Sequence, residues 1–255
     1  MTGSKANTGL FDPAKSRDQE FKEKSTAAVR PKDASTLIIV RRDEGAPKIL
    51  MGKRAAGHKF MPNKFVFPGG RVDPADSRIK VDKSLRAPVE KRLLNKMRGT
   101  PSEARAKGMA LAAIRETFEE TGLVIGKATQ EIRKTKNPEW QAYFNEGVTP
   151  NLTPMDFILR AITPPYRTRR FDTRFFMMEA DHIQGDLHDT GRASGELLEL
   201  HWLTVTDARD LDLPNITRVV LDEIEERLTL NKAQASKRAV PFVHFRPSGP
   251  IRETL

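Results

Sequence analysis

The sequence predicts an α/β fold. Three observations carry that reading: β-branched segments with strand character occur in both halves of the chain, residues 102–122 form a capped amphipathic helix, and a second amphipathic helix follows at 215–228.

Residues 1–33 are polar and lack apolar periodicity, so they read as a mobile tail ahead of a domain spanning 34–230. "ASTLIIVRR" (34–42) and "PKILMGKR" (47–54) flank the turn "DEGA" and form a predicted hairpin. "FVF" (65–67) is a short strand stopped by Pro68, Gly69 and Gly70. "SLRAPVEKRLLNKMR" is a helix candidate weakened by Pro88. "SEARAKGMALAAIRETFEETG" (102–122) is the strongest helix, with Ser102 as its cap and Gly122 as its stop. "PEWQAYFNEG" suggests a short helix, and "MDFILRAI", "RFDTRFFMMEA" and "ELLELHWLTV" are strands by residue type. In "NITRVVLDEIEERL" (215–228), Ile216, Val219, Val220 and Ile224 fall on one face. The last 25 residues, 231–255, read as an extension in which "VPFVHF" adds an edge strand.

Composition sets limits on function. A chain of 255 residues, 38% hydrophobic and 31% charged, can bury a core of one domain or at most two. The absence of cysteine excludes disulfide frameworks, thiolate metal sites and cysteine nucleophiles. No apolar run approaches the ~18 residues of a membrane span, and the N-terminus has no secretory stretch, so a cytoplasmic protein is expected. The net charge of +10 is uneven: residues 71–108 hold eleven Lys or Arg against five acids, an excess of +6. That segment attracts polyanions and is expected to help bind an anionic substrate. It carries no aromatic residue between 74 and 108 to stack bases, which argues against nucleic acid as the partner.

Chemistry concentrates on the helix 102–122. With Glu116 at zero on a helical wheel, Glu119 lies about 60° to one side and Glu120 about 40° to the other. Leu111, Ile114 and Phe118 lie opposite, so the three carboxylates are expected on an exposed face. Alone, E-x-x-E-E is an ordinary solvated acidic face. Its repulsion would instead be useful around a hard divalent cation, which prefers carboxylate oxygens. Gly122 ends the helix beside the carboxylates, and the turn at Gly69 and Gly70 can bring backbone close to them.

"RETFEETGL" (115–123) and the earlier "FPGGRVD" resemble the two halves of the Nudix hydrolase signature, G-x5-E-x7-R-E-U-x-E-E-x-G-U. Arg115, Glu116, Glu119, Glu120, Gly122 and Leu123 match its second half, while Thr117 departs at an aliphatic position. Counting back from Arg115 meets Lys107 where the family has glutamate and Pro101 where it has glycine. The first half is therefore displaced by an insertion at about 74–101. This split form is similar to the branch whose members act as coenzyme A diphosphatases.

The resemblance implies an αβα sandwich with a mixed β-sheet between the catalytic helix and the helix at 215–228. It also implies hydrolysis of a nucleoside diphosphate linked to another moiety with Mg²⁺ or Mn²⁺, held by Glu116, Glu119 and Glu120. Arg115 would orient these carboxylates, its usual acidic partner missing at Lys107. Gly69 and Gly70 would admit the substrate beside the metal. Glu196, in a loop before Trp202, corresponds to a further ligand or general base; Gly185, Gly191 and Gly195 make that loop flexible. Arg54, Arg167, Arg169 and Arg170 are phosphate-binding candidates. The five histidines show no ligand spacing. The expected substrate is coenzyme A, an acyl derivative or a related ADP-linked metabolite. A nucleoside triphosphate pyrophosphohydrolase and a non-catalytic nucleotide- or RNA-binding regulator are the alternatives, and a homodimer is a compatible assembly.

Overall fold

The computed structural model describes residues 29–43, 45–57, 62–246 and 249–255. Most of the expected N-terminal tail lies outside these residues. β1 (Lys32–Arg41) and β2 (Lys48–Arg54) form the predicted antiparallel hairpin, with Val40 opposite Ile49. β3 (Phe65–Val66) pairs with β2, and β4 (Gly69–Arg71) pairs with the start of β1. The residues read as a turn at Gly69 and Gly70 thus belong to a strand.

α1 (Ala87–Leu94) is shorter than the sequence candidate because Pro88 starts it, occupying a first-turn position that needs no backbone N–H. α2 (Glu103–Thr121) has the expected ends: Ser102 Oγ accepts from Arg105 N, and Gly122 closes the helix at φ 77°. Next come β5 (Val124–Ile125), β6 (Lys127–Ala128), α3 (Pro138–Asn145), β7 (Val148–Thr149), β8 (Asp156–Ile162), β9 (Phe171–Glu179), β10 (Ile183–Gln184) and β11 (Leu197–Thr204). α4 (Val205–Arg209), α5 (Asn215–Leu228), α6 (Lys232–Lys237), β12 (Pro241–Arg246) and β13 (Gly249–Thr254) complete the chain.

The main sheet runs β11-β2-β1-β9-β8-β12-β13. It is mixed: β1 lies parallel to β9 and β12 parallel to β8, while the other neighbours are antiparallel. Strand β1 is buried on both faces, and its side chains divide between two cores. Leu37 and Ile39 join Leu111, Ile114 and Phe118 of α2; Ile38 and Val40 join Val220, Leu221 and Ile224 of α5. The expected αβα sandwich is therefore present. "VPFVHF" is not an edge strand, because β13 pairs outside it, with Phe242 opposite Glu253. No helix among the described residues is long and apolar enough to cross a membrane.

The basic insert is clasped to the body. Arg86 bonds Thr153 O, Met155 O and Asp156; Arg92 donates to Ser236 O; Lys96 pairs with Glu253. Arg160, paired with buried Asp172, donates to Lys96 O, and Arg105 reaches Asp33 and the carbonyls of Arg98 and Thr100. Arg86, Arg92, Lys96 and Arg105 are thus engaged with carbonyls and carboxylates of the body.

Candidate active site

The split halves meet in space. After β4 the chain makes a 3₁₀ turn at Asp76–Arg78 that lies on α2 at Gly108. A Cβ at Gly108 would stand 2.4 Å from Ser77 Oγ and 3.1 Å from Ser77 backbone, so only glycine admits this approach. The insert leaves and returns at neighbouring points, and the signature is rebuilt across it.

Asp76 supplies the acidic partner that Lys107 lacks. It is fully buried and takes Arg115 Nε on Oδ1 at 2.9 Å and Nη2 on Oδ2 at 3.1 Å. Arg115 Nη2 also donates to Arg71 O, and Nη1 to Oε1 of both Glu116 and Glu119 at 2.9 Å. One guanidinium thus fastens the turn to the carboxylate helix, in the fork geometry that arginine provides. Burial opposes the charge on Arg115, yet Asp76, Glu116 and Glu119 hold its pKa above the ordinary value. The missed signal was available: five residues separate Gly70 from Asp76, the spacing of G-x5-E with aspartate for glutamate.

The carboxylates are less exposed than a helical wheel implies. Glu120 is only 3% exposed, and its Oε2 accepts from Gly69 N at 2.8 Å. Burial pushes its pKa up to about 8, the Gly69 N–H and Arg54 oppose the rise, and the charges of Glu116 and Glu196 add to it. Burial pushes Glu116 up to about 7 against the pull of Arg115. Glu119 is raised as well, again chiefly by burial. A Cβ at Gly70 would sit 2.3 Å from Glu116 Oε2, which explains a glycine where backbone crosses the carboxylate face. At Gly69, with φ 156°, a Cβ would collide with Ser35 O at 2.4 Å.

A cavity of about 440 Å³ opens beside this face. Of the residues singled out in the sequence, Glu116, Glu120, Glu196, Gly69, Gly70, Arg54, Arg167 and Arg169 line it, together with Arg71. Arg170 does not: its guanidinium donates to Thr163 O and Val29 O, held there by the loop that joins β8 to β9. An adjoining cleft gathers Glu116, Glu119, Glu120, Glu139 and Glu196, with Arg192. Among the described residues no three acidic or histidine side chains are already drawn round one point as a metal set. The donors nevertheless suit a hard cation. Arg115 or Gly69 engages one oxygen each of Glu116, Glu119 and Glu120, while the other oxygen has no bond within the described residues. Their raised pKa values mark negative charge awaiting compensation.

No family model matches the chain. It is similar to nudix hydrolase 7 of Caenorhabditis elegans, 27% identical over 69% of this chain and 53% of that protein. It is also similar to acyl-coenzyme A diphosphatase NUDT19 of Xenopus laevis, 24% identical over 63% of this chain and 53% of that one. The chain thus spans about half the length of the curated relatives it matches. Among solved structures, a NUDIX hydrolase from Alicyclobacillus acidocaldarius superposes with a TM-score of 0.58 at 24% identity, covering 83% of this chain and 98% of the other. The chain thus has the fold of a Nudix hydrolase and is similar in sequence to members of that family.

Proposed function

We propose that the chain is a metal-dependent pyrophosphohydrolase that cleaves a nucleoside diphosphate linked to another moiety, with coenzyme A or an acyl derivative as the first substrates to test. The observation that carries this reading is the convergence of Glu116, Glu120 and Glu196 with Arg54 and Arg167 on one cavity. Acidic groups suited to cations and basic groups suited to phosphates meet there, as hydrolysis of a phosphoanhydride requires. The similarity to an acyl-coenzyme A diphosphatase supports the choice of substrate.

Glu116, Glu119 and Glu120 would hold Mg²⁺ or Mn²⁺. Bound there, the cation shields phosphate charge and acidifies water. Arg115 keeps the carboxylates aimed at the cleft through its fork to Asp76. Arg54 and Arg167 take the non-bridging phosphate oxygens. Glu196, which lines both the cavity and the cleft, accepts a proton from the attacking water as the phosphorus–oxygen anhydride bond breaks and the departing phosphate leaves with the bond electrons.

A hydrolysis screen over coenzyme A, ADP-ribose, NADH, diadenosine polyphosphates and nucleoside triphosphates, with Mg²⁺ or Mn²⁺ and products resolved by mass, tests the reading. Release of two phosphate-bearing fragments from coenzyme A is expected. No turnover of any compound with either cation would overturn it.

A further inference from the structure

The segment between β10 and β11 carries Glu196 to the cleft, yet no residue from Gly185 to Glu196 is buried. Gly185 and Gly195 stand at φ 84° and 80° with open space where a Cβ would be, so packing does not fix the backbone at either point. Leu187 leans on the core near the start. Beyond it, polar contacts set the path.

Arg192 is the centre of those contacts. Its Nη1 donates to Asp189 Oδ2 at 2.7 Å, while Asp189 Oδ1 accepts from Gly191 N and closes the turn. Its Nε lies 2.9 Å from Glu146 Oε2, at the end of α3. That helix is fixed, because Trp140, Tyr143 and Phe144 are buried in the core. One guanidinium therefore spans from the turn to a rigid element, through two separate N–H directions that the point charge of a lysine lacks. The backbone on either side of this staple is pressed against the end of α2. A Cβ at Gly122 would stand 3.2 Å from the nitrogens of Arg192 and Ala193, and Ser194 N donates to Glu119 O, one of the carbonyls that a helix end leaves without an internal partner.

We propose that Arg192 is a positioning residue: by stapling the turn at Asp189 to Glu146 of α3, it lays the segment on the end of α2 and so holds Glu196 over the carboxylate cleft. The inference rests on the hydrolase reading above and deepens it, since it names what places the proton acceptor.

The test pairs hydrogen exchange of residues 186–196 with steady-state kinetics on the full chain, for Arg192→Gln, Glu146→Gln and the double variant. Each single variant should exchange this segment roughly three- to tenfold faster, the range that loss of partly exposed ion pairs allows. The double variant should be no faster than Arg192→Gln, because both changes break the same staple. With a compound that the wild type hydrolyses, kcat should fall by about the same factor and KM stay within about twofold. Wild-type exchange in Arg192→Gln would overturn the staple. A raised KM with kcat kept would make Arg192 a substrate ligand and overturn its positioning role. Faster exchange with unchanged kcat, in an enzyme that Glu196→Gln slows, would overturn that role too. Absence of turnover with every compound sinks the hydrolase reading instead, and the exchange comparison, which needs no substrate, still decides whether Arg192 holds the segment.

Discussion

The indole Nε1–H of Trp140 donates to Asp76 Oδ1 at 2.8 Å, inside the same buried cluster in which Asp76 holds Arg115. Trp140 is fully buried on α3 and packs edge-on to Tyr143, so the donor is fixed by the core. Asp76 therefore receives an indole N–H, two guanidinium N–H groups and the backbone N–H of Asp73. A buried carboxylate this well satisfied is stable where a lone one would not be.

Removing either partner should show how the cluster divides its work. Asp76→Ala leaves Arg115 buried without its counter-charge and should cost about 3–5 kcal/mol in urea unfolding. Trp140→Phe keeps most of the volume and removes one donor, so a cost of about 1–3 kcal/mol is expected. Asp76→Glu restores the residue type the signature carries and should recover more stability than Asp76→Asn. Equal stability of the Ala variant and the wild type would show that Arg115 is held by other means.

The buried carboxylates make stability depend on pH and on cations. Burial raises the pKa of Glu116 to about 7 and that of Glu120 to about 8 in the folded state, against 4.5 for an ordinary glutamate. Between those limits the folded state binds protons that the unfolded chain has released, so stability of the metal-free protein falls as pH rises from about 4.5 to about 8. Mg²⁺ should then raise Tm more at pH 8 than at pH 6, since protons no longer compete for the oxygens. Glu120→Gln keeps an acceptor for Gly69 N–H, and should flatten the metal-free pH profile and abolish most activity. A metal-free Tm that climbs from pH 5 to pH 8 would contradict the burial argument.

Charge reversal in the insert separates the sequence expectation from the structure. The excess of basic residues between the signature halves suggests substrate attraction, with KM rising on reversal at low salt. Arg92 and Lys96 instead serve Ser236 O and Glu253. Reversal of Lys91, Arg92 and Lys96 should therefore lower Tm and leave KM within about twofold at low and high salt. A several-fold rise in KM confined to low ionic strength would restore the substrate-binding role.

Local rules made the strands, α2 and its two ends legible, because apolar period, Ser102 and Gly122 act within a few residues of themselves. The carboxylates of the site were legible for the same reason, lying on one face of one helix. Asp76, Gly108 and β12 depend on contacts across the chain. Their roles follow from a turn laid on a helix and from a strand inserted beside β8, neither of which leaves a periodic trace. Arg170 shows the reverse case: it stands in the same basic run as Arg167 and Arg169, yet its guanidinium is taken up by the carbonyls of Thr163 and Val29.

Glu196 tests whether the metal carboxylates also manage the proton. Cations on Glu116, Glu119 and Glu120 would lower their basicity, which makes each a poor acceptor. Glu196 stands apart from α2 yet shares its cavity, and the segment before it is anchored at one point by Ser194 N donating to Glu119 O at 2.7 Å. Its own carbonyl accepts from Ala55 N, next to Arg54 at the end of β2, so the carboxylate is delivered to the site by a sheet edge rather than by a free loop. Glu196→Gln should lower kcat by about 10²- to 10⁴-fold with Mg²⁺ affinity changed little, measured by steady-state kinetics and calorimetry on the same preparation. Collapse of metal affinity together with kcat would make Glu196 a ligand. Unchanged kcat would leave the proton to Glu116 or bulk water, and would remove Glu196 from the chemistry.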